Sequence, residues 1–171
     1  MTATAPQPPV PPLARRLACF LYEGVLLFGV VMVAGFIYAT TTRQHHALKG
    51  THGLQAFLFI VLALYFVTFW SRSGQTLAMQ TWQIRLLTRA GERVSVARAF
   101  CRYLAAWMWF APALIGLWLA GVHAPWPSFT TLFVGVLAYA ALARLHPERQ
   151  YWHDALCGTR LVLAPERRPP R

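Results

Sequence analysis

The chain has 171 residues, of which 57% are hydrophobic and only 12% charged, and its formal net charge is +11. Soluble domains carry about 25% charged residues, so the composition argues against an ordinary soluble enzyme, and the hydrophobicity excludes a disordered chain. A strongly basic chain suggests nucleic-acid binding, but nucleic-acid-binding proteins do not carry several long uncharged runs. Both facts fit a polytopic membrane protein with arginine-rich cytoplasmic edges.

Four hydrophobic runs are candidates for membrane spans, and they cover residues 17–39, 54–70, 103–122 and 129–143. At about 1.5 Å per residue, the first and third runs are long enough to cross a bilayer. The second needs its flanking residues, and the fourth needs Pro127 to open the helix and Arg144 to snorkel. The sequence therefore predicts an all-α membrane protein, a four-helix transmembrane bundle with a short cytoplasmic β-like element.

The distribution of positive charge predicts the topology. With both termini inside, 14 of the 16 basic residues fall on the cytoplasmic side, and only Arg43 and Lys49 fall outside. This asymmetry follows the positive-inside rule. Three spans would instead place the arginine-rich second loop or the tail outside. We therefore expect a multi-pass protein of the cell inner membrane with cytoplasmic N- and C-termini.

The segments outside the spans carry weaker signals. Residues 1–12 contain five prolines and are expected to be a disordered leader, residues 13–163 form the membrane domain, and residues 164–171 form a basic disordered tail. Alternation from Trp82 to Leu86 predicts a short strand, and Ser95 is a plausible N-cap for a helix that starts at Val96. Thr159–Leu163 is a second β-like piece on the same side, where the two could pair.

Three short motifs occur in a fixed order along the chain. They are Arg16 with Glu23 seven residues later, then Gly74, Gln75, Thr76 and Leu77, and last His153 and Asp154 with Gly158, Thr159 and Arg160. In these motifs the chain resembles the RDD family, small integral membrane proteins named for an Arg and two Asp. The family's first Asp is Glu23 here, and Ala78-Met79 replaces a small-then-basic pair. The resemblance implies a membrane location and a small helical domain, and transport is often suspected for the family.

Glu23 is the sharpest chemical feature of the sequence. It lies about 10 Å inside the first helix, where an ionised carboxylate costs about 2.5–3.5 kcal/mol. One interpretation is a structural ion pair with a basic residue of another helix, such as Arg102, and the other is a proton or cation site. Arg16 shares the helix face of Glu23 and is expected at the interface. We expect Arg16, Glu23 and Asp154 to converge near the cytoplasmic membrane boundary.

Two histidine-containing segments have alternative interpretations. His153-Asp154 could relay protons, or it could anchor a turn, with Asp154 bonded to backbone N–H groups or to Arg160. A metal site in the outer loop would lack a fourth ligand and any acidic or thiol partner for His45, His46 and His52. The sequence therefore predicts neither a metal site nor a cofactor.

Two functional classes remain open at this level. The chain is either a small transport component that moves ions or protons, with Glu23 as its charge-bearing site, or a non-catalytic accessory protein that binds a membrane partner or lipid. No nucleophile–base pair indicates an enzyme. The arginine-rich loop is expected to contact a bilayer with anionic headgroups rather than nucleic acid. The small-residue spacings Gly35-x-x-x-Ala39 and Gly116-x-x-x-Ala120 would suit a homo-oligomer or another membrane partner.

Overall fold

The computed structural model describes residues 8–42, 51–122, 124–147 and 150–164. Three of its helices are long and apolar enough to cross a membrane: α1 (Leu13–Thr42), α2 (Thr51–Arg72) and α6 (Pro125–Leu142). Each extends beyond its hydrophobic run. At the end of α1, for example, the hydroxyls of Thr40, Thr41 and Thr42 donate to carbonyls one turn earlier. Such local bonds allow polar residues to continue a helix.

The third predicted run is broken rather than continuous. Residues 103–122 are divided between the end of α4 (Val96–Ala106), a 3-10 turn at Trp107–Trp109, and α5 (Ala111–Leu119), with a bend of 44° between the two halves. Pro112 fits the first turn of α5, where a backbone N–H has no partner within the helix. Ser95 caps α4, since its hydroxyl accepts from the Arg98 N–H as expected. The chain has four helical spans only if the bent pair counts as one.

Close packing is local to a few helix pairs. Helix α2 packs against α1 and α4, and α5 packs against α6. Gly135 of α6 permits the second of these contacts, because a Cβ built there would lie 2.9 Å from the Cβ of Ala113. The helices do not meet at Gly35 or Gly116, where an added Cβ would meet nothing within 4 Å. Among the described residues, Gly35 and Gly116 of the predicted small-residue spacings therefore mediate no contact between helices.

A small antiparallel sheet closes one end of the helices. After α2 come α3 (Leu77–Thr81) and β1 (Ile84–Thr88), and after α6 come α7 (Trp152–Leu156) and β2 (Thr159–Leu163). The two strands pair over their whole length, with Ile84 opposite Leu163. The first strand starts two residues later than the alternation predicted, because Gln83 has a φ of 52° and interrupts the extended backbone.

Gly74 allows the chain to turn after α2 and to approach β1 closely. Its φ is +71°, and its carbonyl accepts a hydrogen bond from the Leu86 N–H at 2.8 Å. A Cβ at this position would lie 2.7 Å from the Leu86 carbonyl oxygen, so only glycine fits without a shift. As predicted, the segment from Gly74 does not continue helix two.

The N-terminal segment differs from the expectation of disorder across residues 1–12. The Leu163 N–H donates to the Pro9 carbonyl at 2.9 Å, the Arg160 guanidinium donates to the Pro8 carbonyl at 3.2 Å, and Pro11 is buried. Residues 8–12 thus run beside β2, while residues 1–7 and 165–171 lie outside the described residues. Residues 8–12 lead into α1, α2 leads through α3 into β1, and α6 is followed by α7, which packs against both α4 and β2. We call this end of the molecule the sheet side.

Candidate functional site

A cavity of about 380 Å³ lies between α1, α2 and the α4–α5 bend, near the sheet side. Its wall is mostly aromatic and aliphatic. Its ionisable side chains include Arg16, Glu23 and Arg102. Arg16 and Glu23 lie on α1, and Arg102 lies on α4.

Glu23 is buried and is held by hydroxyl groups. Its carboxylate accepts a hydrogen bond from the Tyr65 hydroxyl of α2 at 2.8 Å and another from the Thr76 hydroxyl. Thr76 is also the N-cap of α3, where its oxygen accepts from the Met79 N–H. Glu23 therefore ties α1 to both α2 and α3. The ion pair considered between Glu23 and Arg102 is not formed.

Arg102 pairs instead with Asp154. The Arg102 Nε lies 2.6 Å from Asp154 Oδ1, and the two side chains are 8% and 0% exposed. The Arg102 guanidinium also lies over the Trp70 ring, 4.1 Å from its centroid. Arg160, considered from sequence as the partner of Asp154, reaches the Pro8 carbonyl instead. The ion pair anchors α7 to α4, and its burial means that loss of one partner would leave an uncompensated charge.

Two contacts with the Tyr139 hydroxyl orient the His153 ring and favour one tautomer. The Tyr139 hydroxyl accepts from the His153 backbone N–H at 3.2 Å and contacts its Nδ1 at 2.9 Å. The hydroxyl proton is therefore placed to bond Nδ1, which leaves Nε2 as the protonated nitrogen, 3.5 Å from Asp154 Oδ1. Burial lowers the pKa of His153 to about 4 because desolvation disfavours the imidazolium; Asp154 opposes this shift and Arg102 adds to it.

Arg16 is buried rather than interfacial, with only 6% of its surface exposed. Its guanidinium lies 4.6 Å from the centroid of the Tyr151 ring. Its Nε and Nη1 have no hydrogen-bond partner among the residues that the structure describes. Asp154 contributes an attractive charge near Arg16 but makes no hydrogen bond with it. Arg16 and Glu23 thus line one cavity, and Asp154 joins them through Arg102, which lines the same cavity.

The remaining motif residues build the sheet side. The Gln75 side-chain amide donates to the Ile84 carbonyl at 2.7 Å and so fixes the start of β1. Gly158, with a φ of +63°, forms the turn between α7 and β2. The Thr159 hydroxyl donates to the Asp154 carbonyl at 3.1 Å. Gly74, Gln75, Gly158 and Thr159 are therefore positioned to shape the backbone around the charged residues.

Several site residues were not identified from the sequence. Tyr65 and Tyr151 are the most important, since one binds Glu23 and the other stacks on Arg16. A tyrosine inside a spanning run is a weak signal, because its hydroxyl needs a partner there. Gln150 was also missed: its side chain both donates to the Leu161 carbonyl and accepts from the Leu161 N–H. It thereby extends the bonding of β2.

The described residues contain no group of three or more His, Cys, Asp or Glu side chains placed to hold a metal ion. Of the three histidines considered from sequence, His45 and His46 lie outside the described residues, and His52 lies in the first turn of α2.

No curated protein and no solved structure matches the chain in sequence or fold searches. The model of the RDD family matches residues 10–158. This match spans most of the chain and includes Arg16, Glu23, Thr76 and Asp154; a hydrogen bond joins Glu23 to Thr76, and Asp154 pairs with Arg102 on the cavity wall. The chain is therefore a member of the RDD family of membrane proteins.

Proposed function

We propose that this RDD protein is a non-enzymatic transport component that moves protons or cations, with Glu23 as its charge-bearing site. One observation supports this most directly: the Glu23 carboxylate lies on the cavity wall and is bound by two neutral hydroxyls. Ionisable groups within membrane-spanning helices commonly mark ion or proton pathways, because placing them there is costly.

The kind of partner determines what a buried carboxylate can do. A cation in contact would favour the charged form and oppose proton uptake. Hydroxyl groups both donate and accept, so the Tyr65 hydroxyl can donate to the carboxylate or, after rotation, accept from the carboxylic acid. Glu23 can therefore keep a partner in both protonation states. Arg16 lies on the same cavity wall without an ion pair to Glu23, and Arg102 is neutralised by Asp154, so neither cation replaces the hydroxyl partners of Glu23.

We further propose that the protein crosses the inner membrane four times, with the sheet side in the cytoplasm. The described basic residues cluster at that side, in agreement with the positive-inside rule. Four short helices enclose little space by themselves. A continuous path across the bilayer would therefore need a second copy of the chain, for which the unoccupied surroundings of Gly35 and Gly116 leave room.

Flux through proteoliposomes tests the role of Glu23. Vesicles carrying the purified protein are given a proton gradient or a sodium gradient, and internal pH or sodium is followed. Glu23→Gln should abolish flux at near-normal expression, and Glu23→Asp should retain part of it. Glu92→Gln is the matched control, since Glu92 is an exposed acid outside the spans. Wild-type flux from Glu23→Gln, with only reduced stability, would assign Glu23 a structural role.

A non-catalytic accessory role that involves lipid is the second candidate, and the apolar wall of the cavity favours it. A wild-type protein that carries no flux in either gradient, yet folds and binds a lipid, would support this alternative.

A further inference from the structure

The cavity carries hydrogen-bond donors that the described chain does not satisfy. They are Nε and Nη1 of Arg16, Nε1 of Trp70 and the hydroxyl of Tyr151, and all three side chains line the cavity. The residues are 6%, 5% and 4% exposed. Burial raises the pKa of Tyr151 to about 12, so its hydroxyl keeps its proton at neutral pH. Buried donors without partners are rare, so an acceptor that enters the cavity would be bound there.

Glu23 on the cavity wall is bound by two hydroxyl groups, and the other charges on the wall indicate an anion. Arg102 is paired with Asp154, while Arg16 has no carboxylate within hydrogen-bonding distance among the described residues. A guanidinium offers several donors in a rigid fork that matches carboxylate and phosphate oxygens. Asp154 Oδ2 also lacks a partner, so water that bridges Arg16 to Asp154 is the competing occupant. Titration with amphipathic anions separates a bound anion from a bridging water.

The rest of the wall indicates that the anion carries an apolar chain. A volume of about 380 Å³ lies in the range of small-molecule sites and greatly exceeds what a bare carboxylate or phosphate would fill. The apolar part of the cavity offers water no hydrogen-bond partners, so an apolar chain is the better occupant there. The wall beyond Arg16 consists largely of aliphatic and aromatic residues, among them Phe20, Leu27, Leu62, Phe66, Met79 and Phe110.

The rim of the cavity faces the side of the helices. Leu21 of α1 and Trp107 at the α4–α5 bend both line it, and they are 66% and 40% exposed. Because these helices are the membrane-spanning ones, the rim opens toward acyl chains rather than toward bulk water. A ligand that partitions into the bilayer has access by this route.

From these observations we infer that the cavity binds one single-chain amphipathic anion, with its headgroup at Arg16 and its chain along the apolar wall. The inference goes beyond the proposed transport role, since it assigns a ligand to the cavity and does not require Glu23 to exchange a proton.

Native mass spectrometry of the full-length protein in detergent tests this binding. The protein is titrated with dodecanoate and with dodecyl phosphate, which share the anionic headgroup and chain but represent fatty-acid and lysolipid chemistry. Dodecyltrimethylammonium has the same chain with a positive headgroup and tests the charge. Acetate has the carboxylate without the long chain and tests the chain. We expect one dodecanoate or dodecyl phosphate per chain and no specific adduct with the other two. Equal binding of the cationic amphipath would overturn the proposal.

Two pairs of variants separate the headgroup contact from the chain contact. Arg16→Gln should weaken dodecanoate binding tenfold or more, whereas Arg15→Gln, one residue away and not on the cavity wall, should not. Gly24→Leu adds carbons at the cavity wall, where an added Cβ meets nothing within 4 Å, and should displace the chain. Gly29→Leu is its control on the same helix, with equally open surroundings outside the cavity.

Gly24→Leu keeps the test decisive if Arg16→Gln fails to fold. Undiminished dodecanoate binding by Gly24→Leu would overturn the proposal. The absence of any adduct with the wild-type protein would also overturn it, because that is the result expected if water bridges Arg16 to Asp154. Flux and binding measured on the wild-type protein distinguish the two proposals: a dodecanoate adduct without flux in either gradient would reject the transport role alone, and flux without an adduct would reject the ligand alone.

Discussion

At the scale of single residues, the charged groups near the cavity differ in what satisfies them. Glu23 is bound by two hydroxyls, Asp154 is bound by Arg102, and Arg16 stacks on a ring without a described hydrogen-bond partner. A buried polar group stabilises the protein only when its partners replace the water it has lost. These three residues should therefore respond differently to substitution, even though they lie close together.

Replacing Thr76 with Val should reduce stability by about 1–3 kcal/mol. The change removes one of the two hydroxyls that hold Glu23 and also removes the N-cap of α3. Thr81→Val is the matched control in the same helix, because the Thr81 hydroxyl is exposed and donates only to the Leu77 carbonyl. Thermal unfolding in detergent would measure both variants. Equal unfolding midpoints for Thr76→Val and Thr81→Val would contradict the structural importance of the Glu23–Thr76 hydrogen bond.

His153 should make the protein less stable as the pH falls from about 6.5 to about 4. Its folded-state pKa is lowered to about 4, so the unfolded chain binds more protons within this window. The effect is absent above pH 6.5 and grows as pH falls, reaching on the order of 3 kcal/mol below pH 4. Chemical unfolding across this range would measure it. His153→Gln cannot titrate and should flatten this part of the profile; an unchanged slope would refute the assignment.

The sequence identified the residues at this scale better than it identified their partners. Glu23 stands out because an acid inside an apolar run needs compensation. Its partners Tyr65 and Thr76, however, lie 42 and 53 residues away along the chain. Neither hydropathy nor spacing specifies which of several distant hydroxyls and cations will reach it. Arg102 was therefore a reasonable candidate from charge alone, and the packing of α4 against α7 directed it to Asp154 instead.

At the scale of elements, local signals predicted where helices begin and end better than whether they are continuous. Ser95 caps α4 as expected, because a hydroxyl that accepts from a nearby N–H is a local property. The break after α4 depends on tertiary packing: Trp109 is buried, stacked on Phe20 at 4.7 Å and edge-on to Tyr151 at 4.9 Å. An uncharged run of suitable length gives no sign of such packing.

Gly135→Ala should destabilise the contact between α5 and α6 by about 1–3 kcal/mol. The added methyl group would lie 2.9 Å from the Cβ of Ala113, so one helix must shift. Ala113→Gly removes that atom and should restore much of the loss in the double variant. Gly116→Ala, with nothing within 4 Å, is the control and should not lower the unfolding midpoint, because alanine favours a helix more than glycine does. A double variant no more stable than Gly135→Ala would show that the two helices do not meet there.

At the scale of the whole molecule, the sheet side is built from segments that are far apart in sequence. Residues 8–12 lie beside β2, β2 pairs with β1, and Gly74 supports β1 from the end of α2. The sequence predicted the hydrophobic runs and both strands, since each depends on residues within about 20 positions of one another. It left the strand pairing open, because that contact joins residues more than 70 positions apart.

The pairing of β1 with β2 also constrains how the chain crosses the membrane. Gly91, in the loop after β1, and Ala164, directly after β2, must lie on the same side, so the chain between them crosses an even number of times. Helix α6 has 18 residues, about 27 Å at 1.5 Å per residue, and ends at the sheet side. If α6 makes the inward crossing, we expect the bent α4–α5 pair to make the outward one, for a total of four.

Reporter fusions can therefore decide the topology. Fusions at Gly91 and Ala164 should report the cytoplasm, because the positively charged sheet side is retained there, and fusions at Thr42 and Gly121 should report the opposite side. A fusion at Ser95, before the bent pair, serves as the control for Gly121 and should agree with Gly91. If Gly121 reports the cytoplasm while Ala164 does not, the bent pair is re-entrant. The two strands would then lie on opposite sides of the membrane and could not pair, so this outcome would reject both the four-span topology and the sheet.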